Sequence, residues 1–227
     1  MRFPYQKWGD KMTYCKPYYW NENERSYKDV ILWRSEERKT DSFIFMKGRH
    51  LPFDSKDPRW PTTIQDPKDY DLIFHSEVLP ERFTSYDVLP NNCPAPLVNA
   101  KVKHLLETLC LEDVQFFPAT VVPAKPKMES FENHDYWVLN ICSLYEDVDF
   151  EQSETNFREI SKDKPPIQSG YKRVIFKELT GQKIPHIGRL IYSKSSIIVS
   201  PELVKIFKKE KIKGVRFTQN SEHGDRL

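Results

Sequence analysis

Residues 187–217 constrain the fold class more tightly than any other part of the chain, because they switch from a strand period to a helical one and back. Gly188-Arg189-Leu190-Ile191-Tyr192 is a short β-prone run, and Ser193-Lys194-Ser195-Ser196 reads as a polar turn. Ile197-Ile198-Val199 is a second β-branched run, continuous rather than alternating, as a strand buried on both faces requires. Ser200 then offers an N-cap hydroxyl. Pro201 stands at the first helical position, where a missing N–H costs nothing, and Glu202 suits the positive end of the helix dipole. Leu203, Ile206 and Phe207 recur at helical spacing, with Lys205, Lys208 and Lys209 on the other side. Lys211 and Lys213 follow near the helix's negative end, and Gly214 is the expected stop. Val215-Arg216-Phe217 alternates like an edge or half-buried strand. Such a unit requires a sheet with a helix packed on it, and it contains no catalytic chemistry.

The rest of the chain repeats this mixture. Residues 12–15, 30–33 and 43–49 are strand candidates, and the proline-punctuated residues 51–69 read as a long loop. Residues 71–74 predict a strand, after which Ser76 is placed to cap a brief helical turn. The clearest helix is expected over 98–110, where Val98, Val102, Leu105, Leu106 and Leu109 form an apolar stripe. A strand beginning at Val114-Gln115-Phe116-Phe117 is interrupted by Pro118, which predicts an edge position or a bulge. Residues 135–142 form the longest β-like run and are the expected antiparallel partner of 114–122. Residues 174–179 predict one more strand. These signals add up to an α+β fold, a mostly antiparallel sheet with a few packed helices. It is expected to form one domain over 1–227, with a β-rich N-terminal part (1–69) preceding a core at 70–220.

Composition excludes several functions. Thirty-five basic against thirty-three acidic residues leave a net charge of +2, too balanced to imply nucleic-acid or membrane binding from bulk charge. Seven glycines leave little room for phosphate-cradling loops, and seventeen prolines suggest ordered connections. Cys15, Cys93, Cys110 and Cys142 lie far apart, with no C-x-x-C pair and no histidine at finger spacing, so no metal and no cofactor are expected. Scattered cysteines fit small buried hydrophobes in a reducing compartment. The first residues lack the apolar core of a signal peptide, and no run approaches the roughly 18 apolar residues of a membrane span. The expected location is the cytoplasm. His75-Ser76 lacks a G-x-S-x-G elbow, and His104 has no second ligand on its helix. Tyr18, Tyr19, Trp20, Trp33 and Trp60 are not interleaved with excess basic residues, so core filling outweighs base stacking.

The acidic stretch at 145–154 is the strongest local anomaly: Glu146, Asp147, Asp149, Glu151 and Glu154 stand together without a compensating cation. Their spacing does not match an EF-hand and no glycine supplies its sharp turn. A surface opposing a basic partner and a simple solvated loop both remain open.

Taken in order, Asp113-Val114-Gln115-Phe116-Phe117-Pro118 follows an amphipathic helix, and Tyr136-Trp137-Val138-Leu139-Asn140-Ile141 precedes Val148-Asp149-Phe150-Glu151-Gln152-Ser153. Ile197-Ile198-Val199-Ser200, a helix, and Lys213-Gly214-Val215-Arg216-Phe217 close the series. Over residues 70–217 this order resembles a family of bacterial immunity proteins from polymorphic-toxin loci; the first 70 residues match it poorly. The resemblance implies a non-enzymatic protein that binds and neutralises a cognate toxin, the partner expected here, with Glu146, Asp147, Asp149, Glu151 and Glu154 as candidate contacts. It carries over no catalytic residues. Asp149 and Ser153 fall on the family's acidic-then-serine pattern, which an Asx-type turn or a helix cap would equally explain. Two rival functions stay open: an enzyme whose His75, His104 or His134 converge with a carboxylate in the fold, and a nucleic-acid module using the 205–213 lysine face.

Overall fold

The computed structural model describes residues 18–19, 31–35, 44–46, 72–91, 95–145, 149, 151, 153–158, 167–173, 183–190 and 193–219. The first part of the chain forms β1 (Tyr18–Tyr19), β2 (Ile31–Ser35), β3 (Ile44–Met46), β4 (Leu72–Ser76), α1 (Pro80–Phe83), β5 (Val88–Leu89), β6 (Leu97–Asn99) and α2 (Ala100–Cys110). A short 3-10 turn, Leu111–Asp113, leads into β7 (Val114–Pro123), β8 (Asn133–Ile141) and β9 (Leu144–Tyr145). Then come β10 (Glu154–Arg158), β11 (Ile167–Arg173), β12 (Lys183–Ile184), β13 (Ile187–Leu190), β14 (Ser193–Val199), α3 (Pro201–Lys209) and β15 (Val215–Gln219).

Among the described residues a six-stranded sheet runs β3-β4-β7-β8-β6-β5 and a five-stranded sheet β15-β2-β14-β13-β9. Pairs β1–β12 and β10–β11 stand apart from them. Pairing is antiparallel except for β4–β7 and β9–β13. The fold is therefore α+β with mostly antiparallel sheets and a few helices, as the alternation of periods implies.

Strand pleating explains how the six-stranded sheet is buried on both faces. Successive side chains of a strand point to opposite sides, and along β8 Leu139 and Ile141 enter one core while Tyr136 and Val138 enter another. The first core also takes Val102, Leu106 and Cys110 of α2, Leu203, Val204 and Phe207 of α3, and Trp33, Ile187, Ile197 and Val199 of the five-stranded sheet. Each such fully buried side chain contributes about 1.5–3 kcal/mol. Trp33, Phe207 and Phe217 meet edge to face at 5.3, 5.9 and 5.8 Å, joining β2, α3 and β15. The second core packs Phe83 of α1 against Phe74, Phe117 and Tyr136. There the Tyr136 hydroxyl donates to the carbonyls of Phe83 (3.2 Å) and Tyr86 (2.9 Å). Burial first, then Asp135 and Asp87, push its pKa up, so it stays a donor.

Helix ends follow side-chain chemistry. Asn99 caps α2 by accepting the Val102 N–H at 3.1 Å, and the Ser200 hydroxyl accepts the Leu203 N–H at 3.1 Å at the start of α3, with Pro201 in the first turn. The end of α3 differs from the expected glycine stop. Lys211 takes the left-handed conformation (φ 54°), its N–H donates to the Lys208 carbonyl, and the Ile212 N–H donates to that of Phe207. This is a Schellman closure with lysine at the position glycine usually fills. Gly214 serves a close approach instead: its φ is 91°, and a Cβ there would stand 1.9 Å from the Val88 carbonyl oxygen.

Other expectations shift for physical reasons. Val98 belongs to β6, because the Asn99 cap starts α2 at Ala100, two residues later than expected; it is still buried. The buried positions of α2 are Val102, Leu106 and Cys110, while Leu105 is half-buried. Ser76 ends β4 and bonds Val78 in a local turn rather than capping α1, whose N-cap Leu79 has no side-chain bond. Ser193 through Ser196 lie in β14, not in a turn. Pro118 sits in β7, a central strand, yet the described part of β4 begins opposite Ala119, just past it, and a register shift follows between Ala119 and Val121. The expected pairing of 114–122 with 135–142 is the β7–β8 ladder. β14 is central, with Ile197, Ile198 and Val199 all buried, and β15 lies at an edge. The expected strands at 12–15 and 174–179 and the loop at 51–69 lie outside the described residues.

Candidate partner-binding surface

The acidic stretch follows, in sequence, a hydrogen-bonded crossing where the chain passes from one sheet into the other. β8 ends in the six-stranded sheet, Cys142 and Ser143 cross over, and β9 joins the five-stranded sheet through parallel pairing with β13. Asp113, 3% exposed, pins the crossing: its carboxylate accepts the Ser143 hydroxyl at 2.7 Å and its carbonyl accepts the Cys142 N–H at 2.7 Å. On the other side the Arg189 N–H donates to the Ser143 carbonyl at 2.8 Å. Tyr145 lies across Gly188, where a Cβ would come within 2.6 Å of the ring, and its hydroxyl donates to the Pro185 carbonyl at 2.6 Å. Glycine at 188 is thus required by close approach.

Arg189 is fully buried beside this crossing. Burial pulls its pKa down to about 9, and the neighbouring Cys142 acts in the opposite direction. The guanidinium is therefore still protonated at neutral pH. Because the folded value lies below the ordinary one, the burial penalty is constant below about pH 9 and is relieved only as pH rises through the window above it. Gln115, Asn140 and Cys142 form a polar group on the adjoining strands, with Asn140 Nδ2 at 3.3 Å from Gln115 Oε1 and 3.5 Å from Cys142 Sγ.

Beyond Tyr145 the candidate contacts separate. Asp149 makes an Asx turn: its Oδ1 accepts the Glu151 N–H at 3.0 Å and its carbonyl accepts the Ser153 N–H at 2.9 Å. Of the readings open for the acidic-then-serine pattern, the turn is the one formed. Asp149 is half-buried, whereas Glu151, at the turn it creates, is exposed. Glu154 opens β10. Glu146 and Asp147 lie outside the described residues. Sequence reasoning missed Asp113, Ser143 and Arg189, which meet only because a 3-10 turn, the β8–β9 crossing and β13 converge from distant parts of the chain. The one local signal was Gly188 inside a β-prone run, a mark of close backbone approach.

Among the described residues His75, His104, His134 and His186 do not converge on one site. His104 is exposed on α2. His134 Nδ1 lies 3.2 Å from Thr120 Oγ1 and its Nε2 3.6 Å from Glu132, in an exposed group. His75 is opposite Val122 in β7. His186 Nδ1 is 2.9 Å from Ser200 Oγ, but that oxygen is already the cap of α3. Among the described residues no group of three or more His, Cys, Asp or Glu side chains is placed to hold a metal ion. No helix among them is long and apolar enough to cross a membrane.

The sequence matches the immunity protein family Imm11 over residues 14–222. The chain belongs to the Imm11 immunity protein family. The match begins at residue 14, well ahead of residue 70, so residues 14–69 of the N-terminal part that resembled the family poorly fall within it. No curated protein matches the chain.

Proposed function

We propose that this Imm11 protein is a non-enzymatic, cytoplasmic immunity protein of a bacterial polymorphic-toxin system, which neutralises a cognate toxin by binding it directly. Residues 1–227 act in this reading as one immunity-type domain. The observation that carries the proposal is family membership across 14–222. The acidic stretch is proposed as part of the contact. It supplies five carboxylates without a cation, it follows a crossing fastened between two sheets, and the Asx turn of Asp149 presents Glu151 to solvent. A basic groove on a toxin acting on nucleic acid is the complementary surface.

The test is co-expression with the toxin encoded by the adjacent reading frame, followed by association kinetics at two salt concentrations. Wild type should protect the cell. Asp149→Asn together with Glu151→Gln removes two charges while keeping an acceptor for the turn. That variant should associate about 3–10-fold more slowly at low salt, with a shallower salt dependence. Unchanged kinetics would remove this stretch from the interface. Failure of wild type to bind would sink the immunity reading for that toxin.

A further inference from the structure

The near-neutral whole chain conceals a second charged region. Between Glu202 and Arg216 stand six cations and two carboxylates, a local +4 in a chain of net +2, so all other residues together carry −2. The cations are Lys205, Lys208, Lys209, Lys211, Lys213 and Arg216, and every one is exposed. Among the described residues none of the six forms an ion pair.

Fold stability accounts for only some of these charges. Lys208 and Lys209 occupy the last turn of α3, where cations oppose the helix dipole. Lys205 is mid-helix, and Lys213 and Arg216 lie beyond the end, outside the range of that effect. The platform is anchored on its inner side. The α3 face opposite these lysines buries Leu203, Val204 and Phe207, the Schellman closure holds Lys211, and the Lys213 N–H donates to Asp87 at 2.8 Å.

We propose that the outer face of α3 and the turn behind it form a second partner-contact surface, which receives an acidic patch on the cognate toxin. This rests on the immunity reading. It adds that the toxin is met by two regions of opposite charge, so each partner orients the other. Lysine suits that role: it is a strongly hydrated point charge that steers encounter from an interface rim without being desolvated. Among the described residues no exposed large hydrophobic is aromatic, so none of them gives the lysine face a base-stacking platform, and the DNA arm of the test below addresses a nucleic-acid partner directly.

The experiment compares three full-length proteins: wild type, Lys205→Glu/Lys208→Glu/Lys209→Glu, and a control with the same change of net charge at exposed sites elsewhere, Arg82→Glu/Lys125→Glu/Lys127→Glu. Each is tested for association with the adjacent-frame toxin domain at low and high salt, for binding to a 20-bp random DNA duplex, and for thermal stability. The α3 variant should associate at least about tenfold more slowly at low salt and approach the wild-type rate at high salt, while the control changes less than about threefold. Equal slowing of both variants would mean bulk charge alone and overturn the proposal. Wild-type kinetics in the α3 variant would overturn it and leave the immunity reading intact. Salt-dependent DNA binding by wild type, lost in the α3 variant while its toxin kinetics stay normal, would assign the face to nucleic acid instead. Absence of wild-type toxin binding would sink both readings together. If the α3 variant melts early, Lys205→Gln/Lys213→Gln, which spares the last helical turn, decides by the same kinetic criterion.

Discussion

Two residues near the end of α3 exchange the roles that their side chains suggest. Lysine carries the left-handed turn and glycine carries a contact. Lys211 at φ 54° costs of the order of 1–3 kcal/mol, offset by the two closing hydrogen bonds. Gly214 has both a left-handed φ and a Cβ direction blocked by Val88. Gly214→Ala should therefore destabilise by more than about 3 kcal/mol, whereas Lys211→Gly should stabilise by about 0.5–1 kcal/mol. Urea denaturation of the two variants checks the pair, and a harmless Gly214→Ala would contradict the close approach.

Helix α2 shows how an apolar stripe read at helical spacing can be right in kind and off in its axis. The stripe exists, but its centre is Val102, Leu106 and Cys110, with Leu105 turned to the margin. Lys103 helps set that margin: its ammonium lies 5.5 Å from the Phe116 ring and 5.6 Å from the Trp137 ring while pairing with Glu107 at 2.6 Å. Leu106→Ala, at a site with no exposed surface, should cost about 2–5 kcal/mol, and Leu105→Ala about 1 kcal/mol or less. Equal melting-temperature losses in the two variants would show that the helix is rotated from the described orientation.

At the scale of the whole molecule, the two large sheets are tied together away from the shared core. One tie is the Asp113–Ser143 crossing. The other is a reciprocal clamp in which the Lys213 carbonyl accepts the Asp87 and Val88 N–H groups at 3.1 and 3.0 Å, and Asp87 accepts the Lys213 N–H at 2.8 Å and Asn99 Nδ2 at 2.9 Å. Lys101 adds a link from α2, donating to the Glu210 carbonyl at 2.5 Å. Asp87→Ala should remove about 2–3 kcal/mol, since hydrogen bonds to a charged group are each worth about 1.5–3 kcal/mol and water replaces part of the loss. Hydrogen exchange should then accelerate at Val215 and Phe217 before it does at Leu139 in β8. Uniform acceleration would show that the clamp does not act locally.

Local chemistry in the sequence determined the elements. The Ser200-Pro201 start of α3, the buried β14 run, the edge strand β15 and the β7–β8 ladder all follow from caps, periodicity and β-branched residues that act within a few positions. The Asx turn of Asp149 is equally local, because its acceptor and donor are two residues apart. Tertiary structure alone decided what those elements do to one another. Arg189 became a buried cation, Gly188 a seat for Tyr145, and Gly214 a point of contact with Val88. Each of these depends on atoms brought together from tens of residues apart, and no periodicity within one segment encodes the distance between two strands that only packing makes neighbours.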